Sequence, residues 1–493
     1  MGIIAKQSIK GSIYTYIGIV FGFISTGILM PKFFSQEQVG LTNMLISTTL
    51  LFSQFSTLGF ASVNTRIFPF FRNDKNGHNG LISLGLIITL VGFILSSIVF
   101  LVFKTSIISG DSGKSDLLVQ YSGYFLPLFF FTVYFLFFDS YAKSLFDSVI
   151  GTFLRDFLGK LLNLVLILFY IFNLINFEYF VFGYVFIYIL PTPILIIVLS
   201  VRKQMKISRF NSLLMKQYRS EIFKVSAFGI MAGFSGVAVV NIDTMMTNYF
   251  LGLSLSGIYA IMFFFGSLVL MPSKSLRKIS SIVLAEAWKK NDLETVSDIY
   301  FKSTINQLVI GIFLFGGIFI NLDNVFIMIP QYSSGKLALT ILMIGFLAEM
   351  VTGLSAIIFT GSKYYKQFSI QIFSSLLVIV VLCIIFIPVF GINGTAIASS
   401  LTLIIFAILR FTFLYKKFKL QPYNIKHIKI FAFGIFALII NNFIPYLGNY
   451  FVDFIVRSSI FSLLFMTPVI ISKTADDINN IIRKILIRFN INL

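Results

Sequence analysis

Ionisable side chains that could bind an anion lie within a long apolar run that begins near Ile150. Arg155 and Asp156 are followed there by Lys160. An ionisable group at bilayer depth costs at least about 2.5 kcal/mol to insert, so each is a candidate for function. Asp156 and Lys160 are four residues apart with the acid first, which favours a mutual ion pair. That pair would leave Arg155 as the unpaired cation, unless the helix begins nearer Phe157 and Arg155 lies at the head groups.

Four further basic residues at the ends of apolar runs are candidates for binding an anionic ligand. They are Arg66, Lys274, Arg277 and Arg410. The simpler interpretation is that Arg66 and Arg410 extend to lipid head groups. On the same interpretation, Lys274 and Arg277 orient the chain in a membrane.

Three acidic residues are candidates for exchanging a proton or another ion. Glu349 lies inside an apolar run, Asp243 lies toward the end of another, and Asp139 ends a third. A carboxyl group in a partly dry cavity holds its proton more tightly than in water, so it can take up and release one. Glu349 could equally be a protonated structural group bonded to a nearby Ser or Thr.

Fourteen apolar runs must position these residues. The mean hydropathy of +0.93 and the 57% of hydrophobic residues are typical of an integral membrane protein. A hydrocarbon core about 30 Å thick takes about 20 apolar residues as a helix. We therefore predict an all-α polytopic membrane protein. Its predicted spans are 12–31, 39–60, 80–103, 120–138, 150–172, 177–200, 222–247, 254–272, 302–321, 338–360, 366–388, 391–413, 428–446 and 451–471.

Lys and Arg are concentrated in alternate loops between these runs, and the intervening loops contain few. Basic residues near helix ends resist translocation, so the basic loops face the cytoplasm and both termini lie inside. The formal net charge of +19 is spread over eight short loops. It therefore does not form the single basic groove, with stacking aromatics, that nucleic acid would need. We expect these loops to contact anionic lipid head groups.

The residues of the chain give no support for an enzyme or a cofactor. A single cysteine, Cys383, excludes an intramolecular disulfide and a Cys-based metal cluster. The two histidines, His78 and His427, are too far apart in sequence for a local metal motif. The sequence contains neither a nucleophile elbow nor a phosphate-cradling glycine loop with its Lys. We predict no catalytic residue, no metal site and no cofactor.

The apolar sequence contains an internal repeat. Gly40 precedes Phe71 by the same interval by which Gly257 precedes Trp288, and similar residues surround both glycines. Six predicted helices separate the copies. Because six is even, the copies share one orientation and are related by an axis along the membrane normal.

The helices before the two copies both carry glycines four residues apart. These pairs are Gly18 with Gly22 and Gly229 with Gly233. Small residues at this spacing let membrane helices approach closely. We therefore expect tight helix packing at both places.

The repeat predicts two pseudo-symmetric six-helix lobes, 1–200 and 222–413, joined by a cytoplasmic linker at 201–221. Residues 414–493 would add a helix pair and a cytoplasmic tail. Two such lobes facing a cavity are what alternating access requires, so the pattern favours a transporter. In that arrangement, Arg66 and the Lys274 and Arg277 group would flank one cavity.

Four segments of the sequence match the pattern of a known transporter family. They are Met30-Pro31-Lys32-Phe33-Phe34 through Val39-Gly40, Ser56 through Arg66, Asp243-Thr244-Met245-Met246 through Gly257-Ile258-Tyr259, and Phe390-Gly391-Ile392-Asn393-Gly394 through Ala398. In their order and spacing the chain resembles the polysaccharide-type, O-antigen flippase-like transporters of the multidrug/oligosaccharidyl-lipid/polysaccharide (MOP) exporter superfamily. Glu37 matches only loosely the acidic residue usual after the family's first helix.

The resemblance implies a MATE-like fold in a bacterial cytoplasmic membrane. It also implies translocation of an undecaprenyl-diphosphate-linked oligosaccharide or polysaccharide repeat unit from the cytoplasmic to the periplasmic leaflet. Expected partners are this lipid-linked glycan, membrane lipids, a glycan polymerase and glycosyltransferases, with coupling to H⁺ or Na⁺. The candidate cations would then bind the diphosphate, and the candidate acids would carry the coupling ion.

Two alternatives remain open at this point. A multidrug or small-molecule exporter of the same superfamily would need acids facing its cavity to hold a cation, whereas the residues around Arg155 are mainly cationic. A non-transporting scaffold for glycan assembly would have no reason to retain ionisable residues at membrane depth.

Overall fold

The computed structural model describes residues 3–109 and 115–480, and every regular element in these ranges is helical. Twelve helices there are long and apolar enough to cross a membrane, or thirteen when one bent pair counts as a span. The predicted all-α membrane fold is confirmed. In chain order the main helices are α1 (Lys10–Phe33), α2 (Gln36–Ser56), α3 (Phe60–Arg66), α4 (Leu81–Ser109), α5 (Phe125–Ser144), α6 (149–171), α7 (Phe177–Val201), α8 (Ser212–Leu251), α9 (Leu253–Ser267), α10 (Met271–Lys289), α11 (Leu293–Phe319), α12 (Lys336–Val351), α13 (Ser355–Gly361), α14 (Tyr365–Phe390), α15 (Ile392–Phe418), α16 (Ile425–Asn442) and α17 (Tyr450–Ile471).

Helix α6 lies at the predicted span 150–172, but it is not among the twelve or thirteen helices that are apolar and long enough to cross a membrane. It is helical throughout, but Phe153–Leu158 forms a π-helical stretch between two α-helical parts. Helix α1 contains a second π-helical stretch at Phe23–Leu29. Stretches of this kind are rare and occur frequently at functional sites.

Polar caps fix where many helices begin. Ser35 accepts a hydrogen bond from the Gln38 backbone at the start of α2, and the Gln38 side chain bonds back to Ser35. Asn424 begins α16 with the same reciprocal arrangement, through His427. Such caps satisfy backbone N–H groups that the first turn leaves unpaired. Single side-chain caps also begin α7, α8, α11 and α17, at Asn176, Asn211, Asp292 and Asn449.

Three predicted boundaries differ from the structure. The predicted loop 273–301 is largely helix α10, and the predicted linker 201–221 contains the first residues of α8. The helical parts of both segments are too charged to stand out as apolar runs. The predicted span 338–360 is broken between α12 and α13, where Gly353 adopts a left-handed backbone with φ +58°.

The chain divides into two compact units. Unit 1 comprises Met1–Ile261 and Ser369–Thr395, and unit 2 comprises Met262–Phe368 and Ala396–Leu493. The core of unit 1 includes Phe60, Phe68, Phe137 and Tyr141. Unit 2 has one core cluster where α11 packs with α16 and α17, and another around Tyr300 and Phe359. The division into repeat-related lobes at 201–221 stays a prediction.

The glycines of the sequence repeat occupy reciprocal positions in unit 1. A Cβ atom added at Gly40 would lie 2.2 Å from the backbone oxygen of Leu253. One added at Gly257 would lie 2.0 Å from the backbone oxygen of Gln36. Each copy of the repeat therefore packs its glycine against the first residues of a helix in the other copy, a contact that no larger residue allows.

Candidate functional site

Unit 1 contains a cavity of about 280 Å³ between helices α2, α5, α6 and α7. Its polar lining consists of Thr132, Arg155, Asp156, Lys160, Asn163 and Tyr188, and the rest is apolar or glycine. A mainly apolar pocket with a few convergent polar groups is the usual form of a small-molecule site. Two of the residues predicted to bind an anion, Arg155 and Lys160, therefore face one cavity.

The two cations of this cavity form no ion pair with an acid of residues 3–109 or 115–480. Among the described residues, no ion pair within 4.0 Å involves Arg155, Asp156 or Lys160, so the predicted Asp156–Lys160 pair is wrong. Arg155 instead lies over the ring of Phe135, with 5.6 Å between its Cζ atom and the ring centroid. Asp156 accepts a long hydrogen bond from Thr15, with 3.4 Å between Oγ1 and Oδ2. The cavity therefore presents two cations and one carboxylate.

Arg155 lies well inside helix α6. The helix begins at Val149, not near Phe157, so the alternative that rested on a later start is wrong. Arg155 and Asp156 both lie in the π-helical stretch, and Lys160 follows it directly. The wider turn changes which side chains share a face, so the four-residue spacing no longer aligns Asp156 with Lys160.

Helix α1 supports this part of α6 through its two spaced glycines. A Cβ atom at Gly18 would lie 1.8 Å from the backbone oxygen of Asp156. One at Gly22 would lie 3.9 Å from Cδ of Lys160. The close approach expected from their spacing is confirmed, and it places α1 directly behind the charged turn.

Asn163 adds an acceptor to the cavity. Its side chain is buried, and its Oδ1 atom has no hydrogen-bond partner among the described residues. An unpaired buried amide oxygen is costly, so a ligand that donates a hydrogen bond would gain by meeting it. A sugar hydroxyl has the required chemistry.

Unit 2 brings together three predicted site residues that lie far apart in the sequence. Glu349, near the end of α12, lies between Arg277 of α10 and Arg410 of α15. Its Oε1 atom is 3.3 Å from Nη2 of Arg277, and its Oε2 atom accepts from Nη2 of Arg410. The alternative role for Glu349, a protonated structural group whose side chain bonds to a Ser or Thr, is therefore wrong. Its carboxylate pairs with two arginines. We refer to Arg277, Glu349 and Arg410 as the charge triad.

Two tyrosines accompany the charge triad. Tyr423, in the loop between α15 and α16, lies within electrostatic reach of Arg410 and Glu349. Burial raises its pKa to about 12; Arg410 opposes this shift and Glu349 adds to it, so Tyr423 stays a neutral phenol at physiological pH. Tyr300 of α11 interacts electrostatically with Arg410, and its buried hydroxyl has no hydrogen-bond partner among the described residues.

The other two candidate acids have simpler surroundings in unit 1. Asp139, at the end of α5, forms an ion pair with Lys143 one turn later. Asp243 in α8 is buried and accepts a hydrogen bond from Tyr259, with 2.6 Å between the hydroxyl oxygen and Oδ2. A hydrogen bond between Thr247 and Thr395 lies one turn further along α8.

The remaining predicted cations lie at exposed positions. Arg66 ends α3, just beyond the 57° bend that separates α2 from α3. It lines a cleft of about 340 Å³ in unit 1, together with Gln54 and Gly233. Lys274 is exposed on α10 in unit 2, one turn before Arg277.

The sequence analysis missed one buried ion pair in unit 2. Arg457 of α17 bonds to Asp453 one turn earlier, with 2.6 Å between Nε and Oδ2, and Asn324 also donates to Asp453. An acid followed four residues later by an arginine within an apolar run was the available signal.

Comparisons with known proteins identify the fold. No protein-family model matches the chain, and no curated protein matches its sequence. A structure of the lipid II flippase MurJ in an inward closed conformation superposes with a TM-score of 0.70 at 16% identity, covering 94% of this chain and 98% of that one. An inward-facing multidrug resistance MATE family transporter of the MOP superfamily gives 0.64 at 14% identity, covering 82% and 97%.

A third solved structure is a MOP superfamily transporter from Pyrococcus furiosus, described as having a binding pocket of reversed polarity. It superposes with a TM-score of 0.54 at 16% identity, covering 84% of this chain and 95% of that one. At these identities the similarity establishes a MurJ/MATE-like fold for this multi-pass membrane protein. Activity and substrate must be argued from its own residues.

Proposed function

We propose that this protein is a MOP-type transporter that moves a lipid-linked glycan, carried on undecaprenyl diphosphate, from the cytoplasmic to the periplasmic leaflet. The observation that carries the proposal is the unit 1 cavity. Within the part of the chain that the structure describes, neither Arg155 nor Lys160 forms an ion pair with an acid there. Both side chains are partly buried. Partly buried cations without counter-ions are costly, so a site that holds two of them is suited to an anionic ligand.

A diphosphate matches this cavity in charge and in hydrogen-bond geometry. Arginine offers a planar fork of donors that fits phosphate oxygens, and lysine adds a compact point charge. At 4 Å and an effective dielectric constant of about 20, each pair of unit charges contributes about 4 kcal/mol. The unpaired Oδ1 atom of Asn163 would accept from a sugar hydroxyl beside the diphosphate.

Transport of this substrate would need moving lobes, a coupling ion and partner enzymes. The two predicted lobes would alternate access to the cavity, driven by H⁺ or Na⁺ at one or more of Asp139, Asp243 and Glu349. Glycosyltransferases would supply the substrate, and a glycan polymerase would consume it on the far side. The protein would work in a bacterial cytoplasmic membrane with both termini in the cytoplasm.

A cationic drug is the competing substrate. Such a ligand would need a surplus of carboxylates, but Asp156 is the one acid that lines the described cavity, beside two cations. Electrostatics therefore favour the anion. The superposition on a multidrug transporter bears on the fold and leaves this choice to the residues.

A binding experiment distinguishes the two substrates. The purified protein in detergent would be titrated with farnesyl diphosphate and, separately, with a lipophilic cation. Arg155→Gln and Lys160→Gln should each weaken diphosphate binding at least about tenfold, or about 1.4 kcal/mol. Tight cation binding that is unaffected by either variant, with no diphosphate binding, would refute the proposal.

Matched controls come from exposed ion pairs. Arg202 is half exposed and pairs with Asp147, and Lys302 is half exposed and pairs with Asp298. Arg202→Gln and Lys302→Gln remove the same charges from the protein surface, where an ion pair contributes only about 0–1 kcal/mol. Both controls should bind farnesyl diphosphate as the wild-type protein does.

A further inference from the structure

The two arginines that bind Glu349 keep buried donor groups that it does not use. Its two oxygens accept from one Nη2 atom of Arg277 and one of Arg410. The Nε atoms of both arginines are buried and have no hydrogen-bond partner among the described residues. The buried hydroxyl of Tyr300, near Arg410, is likewise unpartnered. Two buried Nε donors therefore remain unused at the arginines that bind Glu349, and the Tyr300 hydroxyl adds a third within electrostatic reach of Arg410.

This surplus of donors fits a group with more acceptor oxygens. Arginine binds phosphate through the fork of its Nε and Nη atoms, which the carboxylate of Glu349 leaves half occupied at both residues. The diphosphate of a lipid-linked glycan offers four non-bridging oxygens and two negative charges, whereas a carboxylate offers two oxygens and one charge. The diphosphate could fill both forks.

We propose that Arg277 and Arg410 form a second anion site, in unit 2, which Glu349 occupies at rest and from which a phosphate group of the substrate displaces it. The proposal rests on the anionic substrate inferred above and assigns Glu349 a role as internal competitor. The side chain of Arg277 is 31% exposed, compared with 12% for Arg410 and 9% for Glu349. An incoming anion therefore meets Arg277 first.

Displacement would also loosen unit 2. Glu349 joins three helices, because Arg277 belongs to α10 and Arg410 to α15. It lies two residues before the end of α12, where the helix dipole disfavours a negative charge, so the arginines are what hold it there. Once they bind phosphate, Glu349 no longer links α12 to its neighbours.

Inorganic diphosphate binding to the full-length protein in detergent tests the displacement. All variants carry Arg155→Gln, which weakens diphosphate binding in the unit 1 cavity. Adding Glu349→Gln keeps the size of the side chain but removes its charge, and should tighten diphosphate binding at least about tenfold, or about 1.4 kcal/mol. A further Arg410→Gln should abolish that gain. An affinity unchanged by Glu349→Gln would overturn the proposal.

Two further variants keep the test decisive. Asp298→Asn removes an exposed acid that is paired with Lys302, so an equal gain from it would attribute the effect to overall charge and overturn the proposal. If Glu349→Gln does not fold, Glu349→Asp replaces it. Its shorter carboxylate cannot reach both arginines and should give a smaller gain, of at least about threefold, and no gain would again refute displacement.

The proposed function fails separately from this inference. It is refuted if Arg155→Gln alone binds diphosphate as tightly as the wild-type protein. The second site is tested only by the change in diphosphate affinity that Glu349→Gln causes when Arg155→Gln is also present.

Discussion

Replacing Arg457 by alanine should destabilise unit 2 more than any single surface charge does. The guanidinium bonds to Asp453 at 2.6 Å and donates to the backbone oxygens of Ile444, at 2.7 Å, and Asn441, at 3.3 Å. These bonds tie the start of α17 to the end of α16 and to the loop between them. Asp453 is 1% exposed, so the variant leaves a buried carboxylate without its cation.

The size of the effect follows from burial. Removing one partner of a buried ion pair costs about 3–5 kcal/mol, because the other charge stays buried and unpaired. Asn324 and the backbone N–H of Leu447 still donate to Asp453 in the variant, which favours the lower end of that range. Arg202→Ala, which breaks a half-exposed pair, should cost about 1 kcal/mol or less.

Unfolding by a denaturing detergent in mixed micelles would measure both variants. Asp453→Asn combined with Arg457→Ala should recover part of the loss, since the buried negative charge is gone as well. Equal stability of Arg457→Ala and Arg202→Ala, or strict additivity in the double variant, would refute the reasoning.

Two further predictions concern topology and packing. Reporter fusions at Lys75, Lys216 and Lys417 should read as cytoplasmic, and a periplasmic signal at Lys216 would remove the two-lobe prediction. Gly18→Val should disrupt the contact between α1 and α6 and abolish diphosphate binding or folding, because its Cβ would lie 1.8 Å from a backbone oxygen. Gly123→Val is the control, since nothing lies within 4 Å of a Cβ there, and an equal effect of the two variants would contradict the packing argument.

Local features of the sequence predicted the fold and half of the site. Apolar runs about 20 residues long located the helices, and the rarity of ionisable residues inside them pointed to Arg155 and Lys160. The ion pair expected between Asp156 and Lys160 does not form. It was inferred from the spacing of a regular α-helix, and the π-helical stretch changes that spacing.

The sequence analysis did not predict the long-range contacts or the charged helices. Glu349 meets Arg277 and Arg410 across 72 and 61 residues, and no local pattern indicates that these three converge. Helix α10 has the charge content of a loop, so a search for apolar runs ends the membrane helix before it. The capping residues were not predicted either, although Ser, Asn and Asp cap helices through their own backbone neighbours and so leave a local signal.

Movement of a lipid-linked anion between leaflets tests the central claim most directly. The purified protein would be placed in liposomes with a fluorescent undecaprenyl-diphosphate-linked saccharide in one leaflet, and its arrival in the other would be followed by quenching. The wild-type protein and the Lys302→Gln control should move the lipid. The double variant Arg155→Gln and Lys160→Gln should match protein-free liposomes. Transport by the double variant at the wild-type rate, or transport of a lipophilic cation but not of the diphosphate lipid by the wild-type protein, would contradict the account.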